Sequence, residues 1–301
     1  MNIAAIDLGT NTFHLIIAEK VNNELSIIYK TNKPVKLGED ITRENKIIPA
    51  AFERGVACLK EFKTTLDKYG VSKLRAVATS GVRSASNGQE FINAVKTATG
   101  ITIEIIDGEE EANLIYEGVK YSGAIKGKSL IMDIGGGSTE FIFCDEKDFY
   151  WKKSFDIGAA RLMQKFFKSD PINSTDQTNI RQHLEETLKE LITFGKSFGA
   201  LTLIGSAGAF ETYSAMLNPS VDINKISKGE IDTASYHQLA KQLINSSHEE
   251  RRQMPNLIQL RVDMIVMASI ITSYVLEELN LEKITLSTYD LKMGVLRQLS
   301  S

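Results

Sequence analysis

The sequence predicts an α/β protein in which one kind of domain is used twice, each copy running β-β-β-α-β-α-β-α. Short apolar runs bounded by glycine, asparagine and charged residues alternate with longer segments of helical period. The segment Ile6-Asp7-Leu8-Gly9-Thr10-Asn11-Thr12 returns as Met132-Asp133-Ile134-Gly135-Gly136-Gly137-Ser138-Thr139, each time between two apolar strands. The length of 301 residues suits two domains of about 150 residues each.

The elements follow in order. Ile3–Asp7, Phe13–Glu19 and Glu24–Lys30 read as strands, the last two parted by the turn-like Asn22-Asn23. After the charged stretch Thr31–Lys46, residues Ala51, Phe52, Val56, Leu59, Phe62 and Leu66 recur at helical spacing, with Gly70 just beyond. Strand Leu74–Thr79, helix Gln89–Thr97 and strand Ile101–Ile106 come next. The helix from Gly108 to Lys120 opens with three glutamates, which suit the positive end of a helix dipole. Ser122, Gly123 and Gly127 loosen the chain over Tyr121–Lys128, so the domains are read as 1–122 and 123–301. Strands Ser129–Asp133, Glu140–Cys144 and Trp151–Asp156 then restart the pattern. Helix Gly158–Phe167 follows, and then a long helix Ser174–Phe198 opening on a Ser174/Gln177 capping box. Strand Leu201–Ile204 runs into Gly205-Ser206-Ala207-Gly208. The remainder reads as mostly helical, closing with strand Ile284–Leu286 and helix Leu291–Leu299.

Composition excludes several classes. With 35 basic and 38 acidic residues the net charge is −3, which excludes a protein that coats nucleic acid through many Lys/Arg–phosphate contacts. The N-terminus shows no basic n-region and no cleavage site, so no secretory signal is expected. The longest apolar run, Met264–Leu276, is too short to span a bilayer. Cys58 and Cys144 have no metal or redox spacing, and a reducing cytoplasm is the expected location.

The two glycine loops carry the chemistry. A strand ending in aspartate, then glycine and hydroxyl residues, then a second strand makes a tight hairpin whose successive N–H groups form an anion-binding nest. Thr10, Thr12, Ser138 and Thr139 add hydroxyl donors. Beside a bound phosphate the aspartates are unfavourable unless a divalent cation intervenes, and Mg²⁺ commonly uses one or two carboxylates plus substrate phosphates. A glycine hairpin without a ligand is the alternative for either loop alone. Two matching loops in duplicated domains, facing across a cleft, would instead form a phosphate clamp. Gly205–Gly208, between a strand and a helix, is either a third anion site or ordinary strand–helix packing.

At these residues a family resemblance emerges. Asp7-Leu8-Gly9-Thr10-Asn11-Thr12-Phe13-His14-Leu15 resembles the first phosphate loop of the exopolyphosphatase/guanosine pentaphosphate phosphatase (Ppx/GppA) family, and Asp133–Glu140 its second. Ala78-Thr79-Ser80-Gly81-Val82-Arg83-Ser84-Ala85 is similar to its arginine motif and Glu110-Glu111-Ala112 to its catalytic-glutamate motif. The match covers nearly the whole chain. It implies two duplicated actin-like (ribonuclease H-like) domains flanking a cleft. It also implies Mg²⁺-dependent release of terminal phosphate from inorganic polyphosphate or guanosine pentaphosphate, and a homodimer, with neither nucleic acid nor membrane as partner.

Within that resemblance Glu111, 22 residues before Asp133, is expected to orient the attacking water, with Glu110 as the alternative and Glu109 as dipole compensation. Arg83 is expected to fork onto phosphate oxygens. Gly9, Thr10, Asn11, Thr12, Gly135, Gly136, Gly137, Ser138 and Thr139 would bind phosphate, and Asp7, Asp133 and Glu140 would hold Mg²⁺; a half-exposed strand position is the alternative for Glu140. Arg261 resembles an arginine near the site in some members. Lys30, Lys33, Lys36, Arg43 and Lys46 read as a solvated hairpin face rather than a polyphosphate track, and His14 and Trp151 as packing residues. His183, His237 and His248 form no cluster.

Long members of the family carry a C-terminal helical domain resembling HD phosphohydrolases, which is not expected here. Ser287–Gly294 also departs from the family pattern, with Lys292 and Met293 standing where Arg and Glu are usual. Two other functions compete. An actin-like ATPase or sugar kinase would need an adenosine pocket near Gly205–Gly208. A non-catalytic polyphosphate or alarmone sensor would bind without turnover.

Overall fold

The computed structural model describes every residue except Asn23, Ala207 and Ser301, so part of the expected Asn22-Asn23 turn and of the Gly205–Gly208 turn lies outside the described residues. Contacts divide the chain into two units, Met1–Gly118 with the chain from Leu291 onward, and Val119–Asp290.

The first unit contains β1 (Asn2–Leu8), β2 (Thr12–Val21), β3 (Glu24–Pro34), α1 (Ile41–Glu44), α2 (Pro49–Lys68), β4 (Lys73–Ala78), α3 (Ser80–Arg83), α4 (Gly88–Thr99), β5 (Ile103–Ile105) and the start of α5 (Gly108–Ser122). Its sheet has the order β3-β2-β1-β4-β5. β1 pairs antiparallel with β2 and parallel with β4. As the central strand, β1 is apolar on both faces, and Ile3, Ala4, Ala5 and Ile6 are fully buried. Below it Leu59 and Phe62 of α2 and Phe91 and Val95 of α4 complete the core.

The second unit contains β6 (Ser129–Ile134), β7 (Thr139–Cys144), β8 (Phe149–Phe155), α6 (Ala159–Phe166), α7 (Ser174–Thr187), α8 (Lys189–Phe198), β9 (Thr202–Ser206), α9 (Gly208–Leu217), β10 (Lys228–Ile231), α10 (Thr233–Asn245), α11 (His248–Gln253), α12 (Ile265–Leu279) and β11 (Lys283–Ser287). Its sheet order is β10-β11-β9-β6-β7-β8. Taking β6 as the first strand of its copy, this is the same third-second-first-fourth-fifth order, with β10 added at the edge. Two copies of the actin-like, ribonuclease H-like α/β unit are therefore present.

Three local readings change. The long helix is broken at Leu188 into α7 and α8, and its cap is Asn173, whose side chain accepts from the Asp176 N–H, rather than Ser174. The working capping box is Ser247 with Glu250, at α11. β10 emerges in a stretch read as helical, pairing antiparallel with β11.

The final helix, α13 (Leu291–Ser300), belongs to the first unit. Gly294 explains how closely it docks on α5: a Cβ there would lie 1.9 Å from the Leu114 carbonyl oxygen. Trp151 packs against Phe143 and Phe194, as a packing residue should. No helix among the described residues is long and apolar enough to cross a membrane.

Candidate functional site

In the first unit the parallel register aligns the carboxyl ends of three strands: Leu8 of β1 lies beside Ala78 of β4, and Ala78 beside Ile105 of β5. Loops leaving parallel strands at that edge are brought together, as in other open α/β sheets. Here the Gly9–Asn11 loop, the Thr79–Arg83 turn and the start of α5 share the edge. The Gly9 N–H donates to the Thr12 carbonyl (3.1 Å). The Thr10 and Asn11 carbonyls accept from the N–H groups of Gly38 and Lys36, both at 2.8 Å. The stretch after β3 therefore straps the loop, with Val35 and Leu37 buried. Lys33 pairs with Glu61 and Arg54 with Glu39 at the surface.

Glu111 is the glutamate that the first turn of α5 turns inward. Its side chain is 8% exposed, and its Oε2 lies 3.0 Å from Nη1 of Arg83. The same Nη1 donates to the Ile106 carbonyl (2.8 Å), so the guanidinium is held between β5 and α5. Glu110 instead pairs with Arg75 (3.3 Å), and Glu109 is exposed. Asp7 is half-buried and directly opposite His14 on β2. His14 is itself half-buried on that face rather than part of the apolar core.

The second unit repeats the loop. The Gly135 N–H donates to the Ser138 carbonyl (3.0 Å), matching Gly9 to Thr12. Asp133 and Glu140 are directly opposite across β6 and β7, which puts both carboxylates on one face of the sheet. Ser206 Oγ donates to Asp133 (2.6 Å) and Ser154 Oγ to Glu140 (2.7 Å). Glu140 is buried rather than half-exposed. Thr139 is fully buried, its hydroxyl donating to the Ile157 carbonyl (3.2 Å). Arg261 lies beside the start of α9, with Nη2 3.6 Å from where a Gly208 Cβ would stand. Burial lowers its pKa from the usual arginine value, opposed by the charges of Glu211 and Asp133, and its buried Nε has no hydrogen-bond partner among the described residues.

Ser154 and Arg161 are residues that sequence reasoning left without a role, and Ser206, read only as part of a possible third anion turn, instead bonds Asp133. Arg161 donates from Nε to the Gly137 carbonyl (2.9 Å). In the sequence it is one cation in a helix start, and nothing local marks it.

The donor set suits a hard divalent ion. Among the described residues no group of three or more His, Cys, Asp or Glu converges on one point. Mg²⁺ does not need such a cage, since one or two carboxylates with water and phosphate oxygens suffice. Asp133 and Glu140, two carboxylates opposed on one face of the sheet, supply that number.

Comparisons with known proteins concern the fold and the family. The crystal structure of an exopolyphosphatase from Cytophaga hutchinsonii superposes with a TM-score of 0.96 at 36% identity, covering 100% of this chain and 98% of that one. The Aquifex aeolicus Ppx/GppA family member gives a TM-score of 0.83 at 28% identity, over 99% and 97% of the two chains. A guanosine-5'-triphosphate,3'-diphosphate pyrophosphatase of Aliivibrio fischeri is 28% identical over 293 residues, 97% of this chain but only 58% of its own length. The chain thus spans little more than half of that longer relative. The Ppx/GppA phosphatase family pattern matches residues 16–300, nearly the entire chain, and the chain belongs to that family of hydrolases.

Proposed function

We propose that the chain is a Mg²⁺-dependent phosphoanhydride hydrolase that releases terminal phosphate from inorganic polyphosphate, guanosine pentaphosphate or both. The observation that carries this reading is the inward-turned Glu111 carboxylate, gripped by Arg83 at the sheet edge that also bears the Gly9–Asn11 loop. Hydrolysis of a phosphoanhydride needs an oriented water, a group to accept its proton and neutralisation of the phosphate charge. Glu111 orients the water and accepts its proton. Arg83 holds that carboxylate in place, and its remaining N–H groups are donors for phosphate oxygens. Gly9, Thr10, Asn11 and Thr12 in one unit, and Gly135, Gly136, Gly137 and Ser138 in the other, bind phosphate through backbone N–H and hydroxyl groups. Thr139 anchors the exit of the second loop. In the second unit Asp133 and Glu140, and in the first unit Asp7, are the carboxylates that would hold Mg²⁺, directly or through water, and the ion would supply neutralisation of charge on the phosphate oxygens. The substrate pair follows the relatives: one structure is an exopolyphosphatase, and one sequence relative is named for guanosine-5'-triphosphate,3'-diphosphate. A homodimer is part of the same reading.

The test is phosphate release with Mg²⁺ from long-chain polyphosphate, guanosine pentaphosphate and ATP in parallel, using Glu111→Gln as control. Release from either of the first two is expected. Turnover should fall by about 10²–10⁴-fold in the variant, the usual contribution of a positioned acid or base, with KM little changed. Preferential ATP turnover, or tight binding without release, would overturn the proposal in favour of an ATPase or a sensor.

A further inference from the structure

The Gly135–Ser138 loop owes its shape to the segment that follows β8. The carbonyl of Gly135 accepts from Ala159 N–H (2.9 Å), that of Gly136 from Arg161 N–H (3.0 Å) and that of Gly137 from Gly158 N–H (3.2 Å). Each helix start has N–H groups without intrahelical partners. At α6 the N-cap residue, Gly158, has no side chain to cap them, and the three glycine carbonyls do so instead. The approach is close: a Cβ on Gly158 would lie 2.4 Å from the Gly137 carbonyl carbon and 2.5 Å from that of Gly136.

A trans peptide points its C=O and the following N–H in opposite directions. Three successive carbonyls aimed at α6 therefore turn the N–H groups of Gly136, Gly137 and Ser138 away from it. Among the described residues no protein acceptor takes those three N–H groups. That is an anion nest, held open from behind. The first unit uses the same device after its own third strand, where Lys36 and Gly38 take the Asn11 and Thr10 carbonyls.

One contact in the second unit has no backbone counterpart in the first. Arg161 adds its side-chain Nε to the Gly137 carbonyl at 2.9 Å, and its Nη2 is steadied by Asp156 at 3.3 Å. We propose that Arg161 is a positioning residue that presets the Gly137–Ser138 peptide, with its N–H outward, for phosphate. This rests on the reading of the loop as a phosphate site. The guanidinium acts through the Gly137 carbonyl rather than on the substrate, so what matters is an N–H donor at the Nε position, not positive charge.

Three variants separate those properties. Arg161→Gln keeps an N–H donor at the same distance along the side chain without the charge. Arg161→Met keeps length and loses the donor. Arg161→Lys keeps charge, with a methylene where Nε was. In the full chain, the readouts are inorganic pyrophosphate binding by calorimetry, KM and kcat for polyphosphate with Mg²⁺, and thermal midpoints. Arg161→Met and Arg161→Lys should each weaken pyrophosphate binding and raise KM by about tenfold, the scale of one positioned hydrogen bond. Arg161→Gln should recover most of that loss. Midpoints that fall while affinities stay at the wild-type level would show a purely structural contact and overturn the proposal. So would Arg161→Lys near wild type with Arg161→Gln as weak as Arg161→Met, which would make the arginine a direct phosphate ligand. If Arg161→Met does not fold, the Gln–Lys comparison decides alone. Failure of wild-type protein to bind pyrophosphate would sink the phosphate reading itself, and this proposal with it. Wild-type binding matched by all three variants would sink only the role of Arg161.

Discussion

Asp133 and Glu140 stand directly opposite each other on adjacent antiparallel strands, each with one serine hydroxyl on its carboxylate, Ser206 at 2.6 Å and Ser154 at 2.7 Å. Like charges directly opposite each other on one sheet face are destabilising. The serines offset part of this without cancelling the charge.

A signed prediction follows for the metal. Asp133→Asn removes one of the two opposed carboxylates while keeping an acceptor for the Ser206 hydroxyl. The same variant should need at least about tenfold more Mg²⁺ for half-maximal phosphate release, since the ion would lose a hard ligand. The rise in midpoint that Mg²⁺ and phosphate together give the wild type, through binding to the folded state alone, should shrink. A Mg²⁺ titration of both proteins by activity and by thermal melting checks this. An unchanged Mg²⁺ requirement would remove Asp133 from the ion's ligands.

Gly294 couples the last helix to α5, the helix proposed to carry the catalytic carboxylate. Its missing side chain admits the Leu114 carbonyl of α5, one turn beyond Glu111. Gly294→Ala should cost about 1–3 kcal/mol, as overpacking of a tight contact does. It should also lower kcat more than it raises KM, because the helix that moves carries Glu111. Denaturant midpoints and steady-state kinetics on the same preparation measure both.

His183 sets an acid limit on stability. Burial, with Lys165 nearby, lowers its pKa from the usual histidine value, and its ring packs on Phe166 at 5.2 Å. A lowered histidine pKa means that the unfolded chain takes up the proton first. Above about pH 6.5 neither state is protonated there and the group has no effect; as pH falls below about 6.5 the unfolded state is favoured. Thermal midpoints should therefore fall between about pH 6.5 and 5, and His183→Phe, which keeps the ring contact, should flatten that slope. Parallel slopes for the two proteins would assign the acid sensitivity elsewhere.

Local signals were legible wherever the chain had to satisfy a local geometry. The paired Asp-Gly loops, the apolar central strands and the acidic start of α5 can all be read from neighbouring residues. Long-range pairing hid the rest. β10 is a polar four-residue edge strand, Lys-Gly-Glu-Ile, with no apolar period; it exists because β11 offers it a partner. The break at Leu188 lies inside an unbroken helical pattern, and the residue itself is buried in the core. Glu140 carries no mark of its burial, which comes from the layers packed around β7.

By itself the sequence determined the fold class, the duplication, the family and the two glycine loops, because hydrophobic period and glycine placement act over a few residues. It narrowed the candidate catalytic glutamate to Glu110 or Glu111 and preferred Glu111 by resemblance. Only the tertiary structure turned Glu111 inward onto Arg83 while giving Glu110 to Arg75. Only the tertiary structure, too, brought the start of α6 behind the second loop, so that Arg161 reaches the Gly137 carbonyl across 24 residues of chain. Each of these depends on parallel register and on which helix covers which strand end. Side chains distant in sequence meet there to satisfy buried charges and backbone polar groups that no neighbouring residue could serve.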